Sequence, residues 1–222
     1  QAVDELGDLA RMSQERLTGA LRVGVIPTIG PYLLPQIIAL LGRTHPGLDL
    51  RLRETLTQRL IAELHDRRLD AAIVALPVSE PTLVEVPLLT ERFVFAHPPN
   101  DDGRPTPTAE ELREMRLLLL EEGHCFREQA LSFCDATTGP PREILDASSL
   151  STLMQMVSAG FGVTLLPEMA IAIETRAAPV AISHFPPPEP SRAVGMIWRK
   201  SNPLGPQLKQ IAETIKADLS PP

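Results

Sequence analysis

The chain contains little cysteine and few aromatic residues. Two cysteines among 222 residues are too few for the disulfide scaffold of a small secreted protein. The sequence also lacks a Cys-X-X-Cys pair or a Cys/His ladder that would predict structural zinc. Aromatic residues make up only 4%, so the core must be built from Leu, Val, Ile, Ala and Met. We therefore expect a protein of a reducing compartment, the cytoplasm, without a metal or cofactor.

Two further absences narrow the function. No run of 18 apolar residues occurs, and no basic segment precedes a short apolar one, so we expect neither a membrane span nor a secretory signal. The net charge is −7, which repels phosphate backbones, so nothing predicts that this chain itself binds nucleic acid. Because the chain begins with Gln1 rather than Met, we expect it to be part of a longer protein.

The first twenty residues have a heptad pattern. Apolar or small residues recur at spacings of three and four at Val3, Leu6, Ala10, Ser13 and Leu17. The pattern predicts the C-terminal part of a linker helix over 1–20. The alternative is an ordinary amphipathic helix packed on its own domain.

From Leu21 onward, strand-like and helical segments alternate. Strands are predicted over 21–27, 48–54 and 70–76, and helices over 31–46 and 57–69. This order is typical of parallel strands joined by right-handed crossovers. A second series follows 84–98, with strands over 117–121, 161–167, 179–185 and 193–199 and helices over 126–136, 148–160 and 203–219. Thr108 with Glu111 forms a capping-box pattern, and Ser148 or Ser149 is expected to cap its helix.

Pro-rich breaks at 97–107 and 185–190 flank the second series. The sequence thus predicts two Rossmann-like α/β subdomains joined by two crossing strands, with a cleft between them. The first comprises 21–90 and 197–222, and the second comprises 91–196. Parallel sheets bind ligands at the carboxyl ends of their strands, so a ligand is expected near 27–30 and 121–124.

The segment LLLLEEGHCFREQALSFC, residues 117–134, carries the most chemistry. It places Cys125 at or just before the start of a helix, with His124 before it and Arg127 two residues after it. The helix N-terminus, an imidazolium and a guanidinium each favour thiolate over thiol, so Cys125 is a candidate reactive thiol. The alternative is that both cysteines are ordinary buried residues and His124 is an ordinary loop histidine.

Cys134 follows nine positions later in the same helical pattern. Nine residues rise about 13.5 Å along a helix, whereas a disulfide tolerates Cα separations up to about 7 Å. Cys125 and Cys134 therefore cannot bond while the helix is intact. Oxidation that joined them would select a second structure, which is the behaviour of a switch.

The segment GHCFREQALSFC resembles the redox segment of the OxyR family of hydrogen-peroxide sensors, within the LysR-type transcriptional regulators. The stretches 23–38, 69–76, 85–88 and 158–167 are similar to the same regulatory domain. The resemblance covers about residues 21–219. It implies a periplasmic-binding-protein-like fold of the LysR effector-domain type.

The resemblance also implies roles for single residues. Cys125 matches the peroxidatic cysteine, which peroxide oxidises to a sulfenic acid, and Cys134 matches the resolving cysteine that then forms the disulfide. The other implied peroxide-binding residues are Thr28, Thr57, His124, Gln129 and Arg192. For Thr28 and Thr57 the alternative is that each hydroxyl only caps the following helix.

The implied function is control of DNA binding and of the transcription of antioxidant genes by an activator, not enzymatic turnover. The implied partners are hydrogen peroxide, promoter DNA bound through a winged helix-turn-helix outside this chain, RNA polymerase, a glutaredoxin- or thioredoxin-type reductant, and further copies in a homodimer or homotetramer. Two alternatives are a LysR-type domain that binds a small metabolite in the cleft, and a thiol peroxidase. A Gly-His pair precedes Cys125 where peroxiredoxin-like sites have a proline-threonine context, which argues against the peroxidase.

Overall fold

A computed structural model of the chain describes residues 17–99, 106–135 and 143–220. The predicted linker helix over 1–20 lies largely outside these residues. Its described end is not helical, because Gly19 begins the first strand, β1 (Gly19–Val25). The Gly19 N–H donates to the Gly47 carbonyl at 2.9 Å, and Gly19 lies opposite Leu48 in the sheet. The prediction is wrong at this end because heptad spacing carries no sign of where strand pairing begins.

The chain divides into two compact units, one up to Thr90 and from Ala193 onward, the other Glu91–Arg192. Two strands, β4 (Leu83–His97) and β9 (Ser191–Arg199), pass from one unit to the other, so the two crossing strands expected from the sequence are present. The second boundary falls four residues before the predicted one. It lies inside β9, whose continuous apolar pattern does not mark the crossing point.

The first unit is an α/β layer built around β1. Its other elements are α1 (Gly30–Thr44), β2 (Leu48–Glu54), α2 (Thr57–His65), β3 (Ala71–Leu76) and α7 (Gly205–Leu219), with the adjoining parts of β4 and β9. Strand β1 pairs in parallel with β2 and β3, as predicted, and β3 pairs antiparallel with β9. A Cβ at Gly24 would lie 2.3 Å from Leu60, so glycine lets α2 pack closely on β1.

Helix α2 is shorter than the predicted helix over 57–69. It ends at His65, and Arg67 adopts a positive φ of 59°, which a continuing helix cannot contain. The Arg68 and Leu69 N–H groups both donate to the Glu63 carbonyl, which closes the turn into β3. The helical side-chain pattern continues past the point where the backbone turns, which is why the sequence overestimated the length.

The second unit contains two groups of strands. Its elements are α3 (Ala109–Glu114), β5 (Arg116–Leu120), α4 (Cys125–Asp135), β6 (Glu143–Ala147), α5 (Leu150–Ser158), β7 (Thr164–Pro167), a 3-10 turn (Glu168–Ala170), α6 (Ile171–Glu174) and β8 (Ala181–His184). Strand β4 pairs antiparallel with β7 and β8, and β5 pairs in parallel with β6. The sequence did not predict β6, the 3-10 turn or α6, which are all short.

Two helix N-caps predicted from the sequence are present in this unit. The Thr108 hydroxyl accepts from the Glu111 N–H at 3.2 Å, and the Glu111 carboxylate accepts from the Thr108 N–H at 2.8 Å. Ser149, not Ser148, caps α5 by accepting from the Thr152 N–H. Strand β7 begins three residues later than predicted, because the preceding turn has Gly160 at φ 78°. None of the helices in the described ranges is long and apolar enough to cross a membrane.

Candidate redox site

Cys125 is the first residue of α4, directly after a tight turn from β5. The four leucines of β5 are buried, and the chain then emerges through exposed Glu121 and Glu122. Gly123 has φ 93°, in the left-handed region where a side chain would be strained. Cys125 itself is half-buried. The turn thus presents a partly accessible thiol at the positive end of a helix, where thiolate is favoured.

The side chain of Arg127 contacts two neighbouring strands. Its Nη1 donates to the Leu120 carbonyl at 2.9 Å and pairs with the carboxylate of Asp146 on β6. These contacts tie the first turn of α4 to β5 and β6. The Asp146 carboxylate also offsets the positive charge of Arg127, which the sequence predicted to favour the Cys125 thiolate. The sequence did not identify Asp146 as a partner, because β6 was not predicted.

Burial lowers the pKa of His124, although the nearby Glu121 carboxylate acts in the opposite direction. The neutral imidazole is therefore favoured at neutral pH, whereas the sequence analysis considered the imidazolium. A neutral ring can both donate and accept a hydrogen bond, which suits contact with a small polar molecule. The structure thus assigns the positive field at Cys125 to the helix N-terminus more than to His124.

Gln129 lies one turn after Cys125 on the same helix, at the spacing that places two side chains on one face. Its Oε1 is buried and has no hydrogen-bond partner among the described residues. An amide oxygen in this position carries a free-energy cost unless a ligand or water satisfies it. Cys134 lies further along this helix, and its side chain is outside the described part of the chain.

Arg192 is fully buried and is held by Glu91. Its Nε donates to Glu91 Oε2 at 2.7 Å, and the two side chains are 0% and 3% exposed. The guanidinium lies 5.7 Å from the centroid of the Phe93 ring, which packs edge-to-face on Phe126 at 5.4 Å. Arg192 thus reaches the neighbourhood of the Cys125 turn through two aromatic rings. Glu91 was not predicted from the sequence, where its one signal is an acidic residue within an apolar strand.

The two threonines lie in the first unit, at the same edge of its sheet. Thr28 follows β1 and is 2% exposed, and Thr57 follows β2, the parallel neighbour of β1. The N-cap residues of α1 and α2 are Ile29 and Leu56, with no side-chain cap. Thr57 is therefore not the N-cap of α2, whereas for Thr28 both alternatives remain predictions. Thr57 Oγ1 is buried and has no hydrogen-bond partner among the described residues.

The sequence-predicted site residues thus fall into two groups. Cys125, His124 and Gln129 come together on one turn and helix of the second unit, and Arg192 lies over the Phe93 ring, which contacts Phe126. Thr28 and Thr57 come together at the carboxyl ends of β1 and β2. Two of these residues, one in each group, have buried polar atoms that lack partners in the described part of the chain.

Comparison with known proteins places most of this chain in one family. The family model described as the LysR substrate binding domain matches residues 14–220. The DNA-binding transcriptional dual regulator OxyR of Escherichia coli K12 is 39% identical over 219 residues, which cover 97% of this chain and 71% of that protein. A probable hydrogen peroxide-inducible genes activator of Mycobacterium avium is 37% identical over 97% of this chain and 70% of its own length.

Solved structures agree with the sequence comparison. A mutant of Corynebacterium glutamicum OxyR with bound H2O2 superimposes with a TM-score of 0.89 at 32% identity, over 98% of this chain and 70% of that one. The reduced OxyR regulatory domain of Pseudomonas aeruginosa gives a TM-score of 0.79 at 36% identity, over 91% and 98% of the two chains. The predicted α/β fold of the periplasmic-binding-protein type is confirmed.

Proposed function

This chain belongs to the LysR substrate-binding domain family, in its OxyR branch, and we propose that it is the regulatory domain of a hydrogen-peroxide-sensing transcriptional activator. The observation that carries the proposal is Cys125, half-buried at the first residue of a helix that also contains Cys134. Its relatives include hydrogen peroxide-inducible genes activators and an OxyR with bound H2O2.

The chemistry consumes one peroxide for each pair of thiols. The Cys125 thiolate attacks one peroxide oxygen, the O–O bond breaks, and the departing hydroxide takes up a proton to become water, which leaves a sulfenic acid. The Cys134 thiol then attacks that sulfur, the S–O bond breaks, and a second water leaves. The net change is two thiols and one H2O2 converted to one disulfide and two waters.

The peroxide-binding groups are Thr28, Thr57, His124, Gln129 and Arg192. Two observations support this assignment, since Thr57 Oγ1 and Gln129 Oε1 are buried without partners in the described ranges. A hydroxyl can donate to a peroxide oxygen and an amide oxygen can accept from a peroxide O–H, and such hydrogen bonds hold the O–O axis in line with the attacking sulfur. The Nε of Arg192 donates to Glu91, which fixes the guanidinium over the Phe93 ring.

The proposed biological role follows from the family. The disulfide changes the arrangement of subunits in a homodimer or homotetramer, and thereby changes binding to promoter DNA through a winged helix-turn-helix and contact with RNA polymerase. A glutaredoxin- or thioredoxin-type protein reduces the disulfide again. The protein acts in the cytoplasm, and it responds once to each oxidation rather than turning over as an enzyme.

The deciding experiment titrates the protein with hydrogen peroxide and counts thiols. One equivalent is expected to remove both thiols and to yield a Cys125–Cys134 disulfide in peptide maps. Two titratable thiols remaining after micromolar peroxide would overturn the proposal and favour a metabolite-binding domain. Continuous peroxide consumption with a thiol reductant, at the rate of a dedicated enzyme, would instead favour a thiol peroxidase.

A further inference from the structure

The buried Glu91–Arg192 pair has both oxygens of its carboxylate occupied. Glu91 Oε2 accepts from Arg192 Nε at 2.7 Å, and Oε1 accepts from the Met169 N–H at 3.0 Å. Burial raises the pKa of Glu91, the Arg192 charge and the Met169 hydrogen bond lower it, and the Glu168 carboxylate raises it again. The carboxylate therefore sits in a low-dielectric setting, fixed at both oxygens.

Two aromatic rings connect this pair with the residue next to Cys125. The guanidinium of Arg192 lies 5.7 Å from the Phe93 centroid, and Phe93 packs on Phe126 at 5.4 Å. Phe126 is completely buried and is covalently next to Cys125. Aromatic and aliphatic groups screen charge less than water does, so a charge at Arg192 acts on the first turn of α4 more strongly than it would across solvent.

We propose that Glu91 is a positioning residue: it holds Arg192 on the Phe93 ring and, as its buried counter-charge, limits the positive potential at Cys125. Arg192 alone would favour the thiolate. Because Glu91 carries the opposite charge, the Glu91–Arg192 pair contributes little net potential at the Cys125 thiol. Glu91 thereby keeps Cys125 less acidic, and less reactive toward oxidants in general, than Arg192 alone would make it.

The other charged groups around this turn are already balanced or exposed. Arg127 is paired with the Asp146 carboxylate, and His124 favours its neutral form. Glu121, Glu122 and Glu128 are exposed to solvent, where their charges are screened. Glu168 acts on Glu91 through space. Changing Glu91 therefore alters a buried charge that solvent does not compensate.

The inference rests on the proposed function only in taking Cys125 as the reacting thiol. Its test uses iodoacetamide in place of peroxide, in a Cys134→Ser background so that one thiol is followed. The rate of alkylation is measured from about pH 5 to pH 10, which gives the apparent pKa of the Cys125 thiol. The variants are Glu91→Gln, Arg192→Gln, the double variant, and Glu91→Asp, which keeps the charge.

Glu91→Gln is expected to lower the apparent thiol pKa by about half a unit or more, which makes alkylation about threefold faster at a pH below that pKa. Arg192→Gln is expected to raise it, the double variant to bring it back toward the parent value, and Glu91→Asp to leave it near the parent value. A purely structural role for Glu91 would loosen the fold without this ordered response.

An unchanged or higher thiol pKa in a folded Glu91→Gln protein overturns the inference. Where that variant does not fold, the comparison of Arg192→Gln with the double variant measures the effect of the Glu91 carboxylate on the thiol pKa. The double variant must then have the lower thiol pKa, and equal values overturn the inference. Failure of peroxide to oxidise the parent protein would instead count against the proposed function, since the alkylation profile does not depend on it.

Discussion

Cys125 and Cys134 are the first and tenth residues of one uninterrupted eleven-residue helix. Nine residues of helix separate their Cα atoms by about 13.5 Å, about twice the largest separation that a disulfide bridges. The helix and the disulfide are therefore mutually exclusive. The Arg127 contacts with Leu120 and Asp146 and the buried ring of Phe126 lie on the first turn of this helix, so its loss would also disturb β5 and β6.

Oxidation by one equivalent of peroxide should unfold part of α4. Amide hydrogens of Ala130, Leu131 and Phe133 are expected to lose protection in hydrogen-exchange mass spectrometry, because the helical hydrogen bonds break when the cysteines approach. Treated Cys134→Ser protein serves as the control and should keep this protection. A disulfide that forms while these amides stay protected would contradict the mutual exclusion.

The two cysteines should respond differently to substitution. Cys125→Ser is expected to abolish reaction with peroxide at micromolar concentration, because the attacking sulfur is gone. Cys134→Ser is expected to leave a sulfenic acid on Cys125, which dimedone traps and mass spectrometry detects. Equal, mild effects of the two substitutions would be inconsistent with separate peroxidatic and resolving roles.

Thr57→Val should slow the reaction with peroxide about tenfold, since one hydrogen bond to the reacting molecule is worth about 1.4 kcal/mol. Alkylation by iodoacetamide, which has no O–O axis to align, should change little. The free energy of unfolding should not decrease, because the buried hydroxyl has no partner to lose among the described residues.

A matched control for Thr57 is Thr214→Val, whose hydroxyl donates to the Gln210 carbonyl on the exposed face of α7. It should leave both rates unchanged. If Thr57→Val slowed alkylation and peroxide reaction to the same extent, the hydroxyl would be structural.

His124 should make stability depend on pH. Because burial lowers its folded-state pKa, the unfolded chain binds the proton more tightly, and stability falls as the pH drops from the ordinary imidazole range toward the folded pKa. Below that pKa the full penalty is present. Urea unfolding at about pH 7.5 and about pH 5.5 should therefore show a smaller loss for His124→Asn than for the parent. The same loss in both proteins would show that other groups cause it.

Removing one partner of the buried ion pair should be costly. Arg192→Met leaves the Glu91 carboxylate buried without its counter-ion, and we expect a loss of about 3–5 kcal/mol in the free energy of unfolding. The control is Arg92→Ala, which breaks a 3.0 Å pair with Glu189 whose arginine is 57% exposed, and which should cost at most about 1 kcal/mol. Similar losses in chemical denaturation would mean that burial of Glu91 and Arg192 is not the decisive factor.

Local patterns were predicted well where the sequence carries its own physical signal. The capping box at Thr108 and Glu111 needs only two side chains and the adjacent N–H groups, and it formed as expected. The glycine turn predicted that a helix starts at Cys125 or just after it, and α4 begins at Cys125. The predicted helix over 57–69 was too long, since the positive φ of Arg67 reflects the turn into β3 rather than a residue preference.

The sequence by itself determined the alternation of strands and helices and the spacing of Cys125 and Cys134, because periodicity and helical rise depend only on residues near each other in the chain. Tertiary structure alone decided which charges face each other. Glu91 and Arg192 are 101 residues apart, and Arg127 meets Asp146 across an unpredicted strand. Such pairs depend on how distant strands are brought together, and no local pattern specifies that.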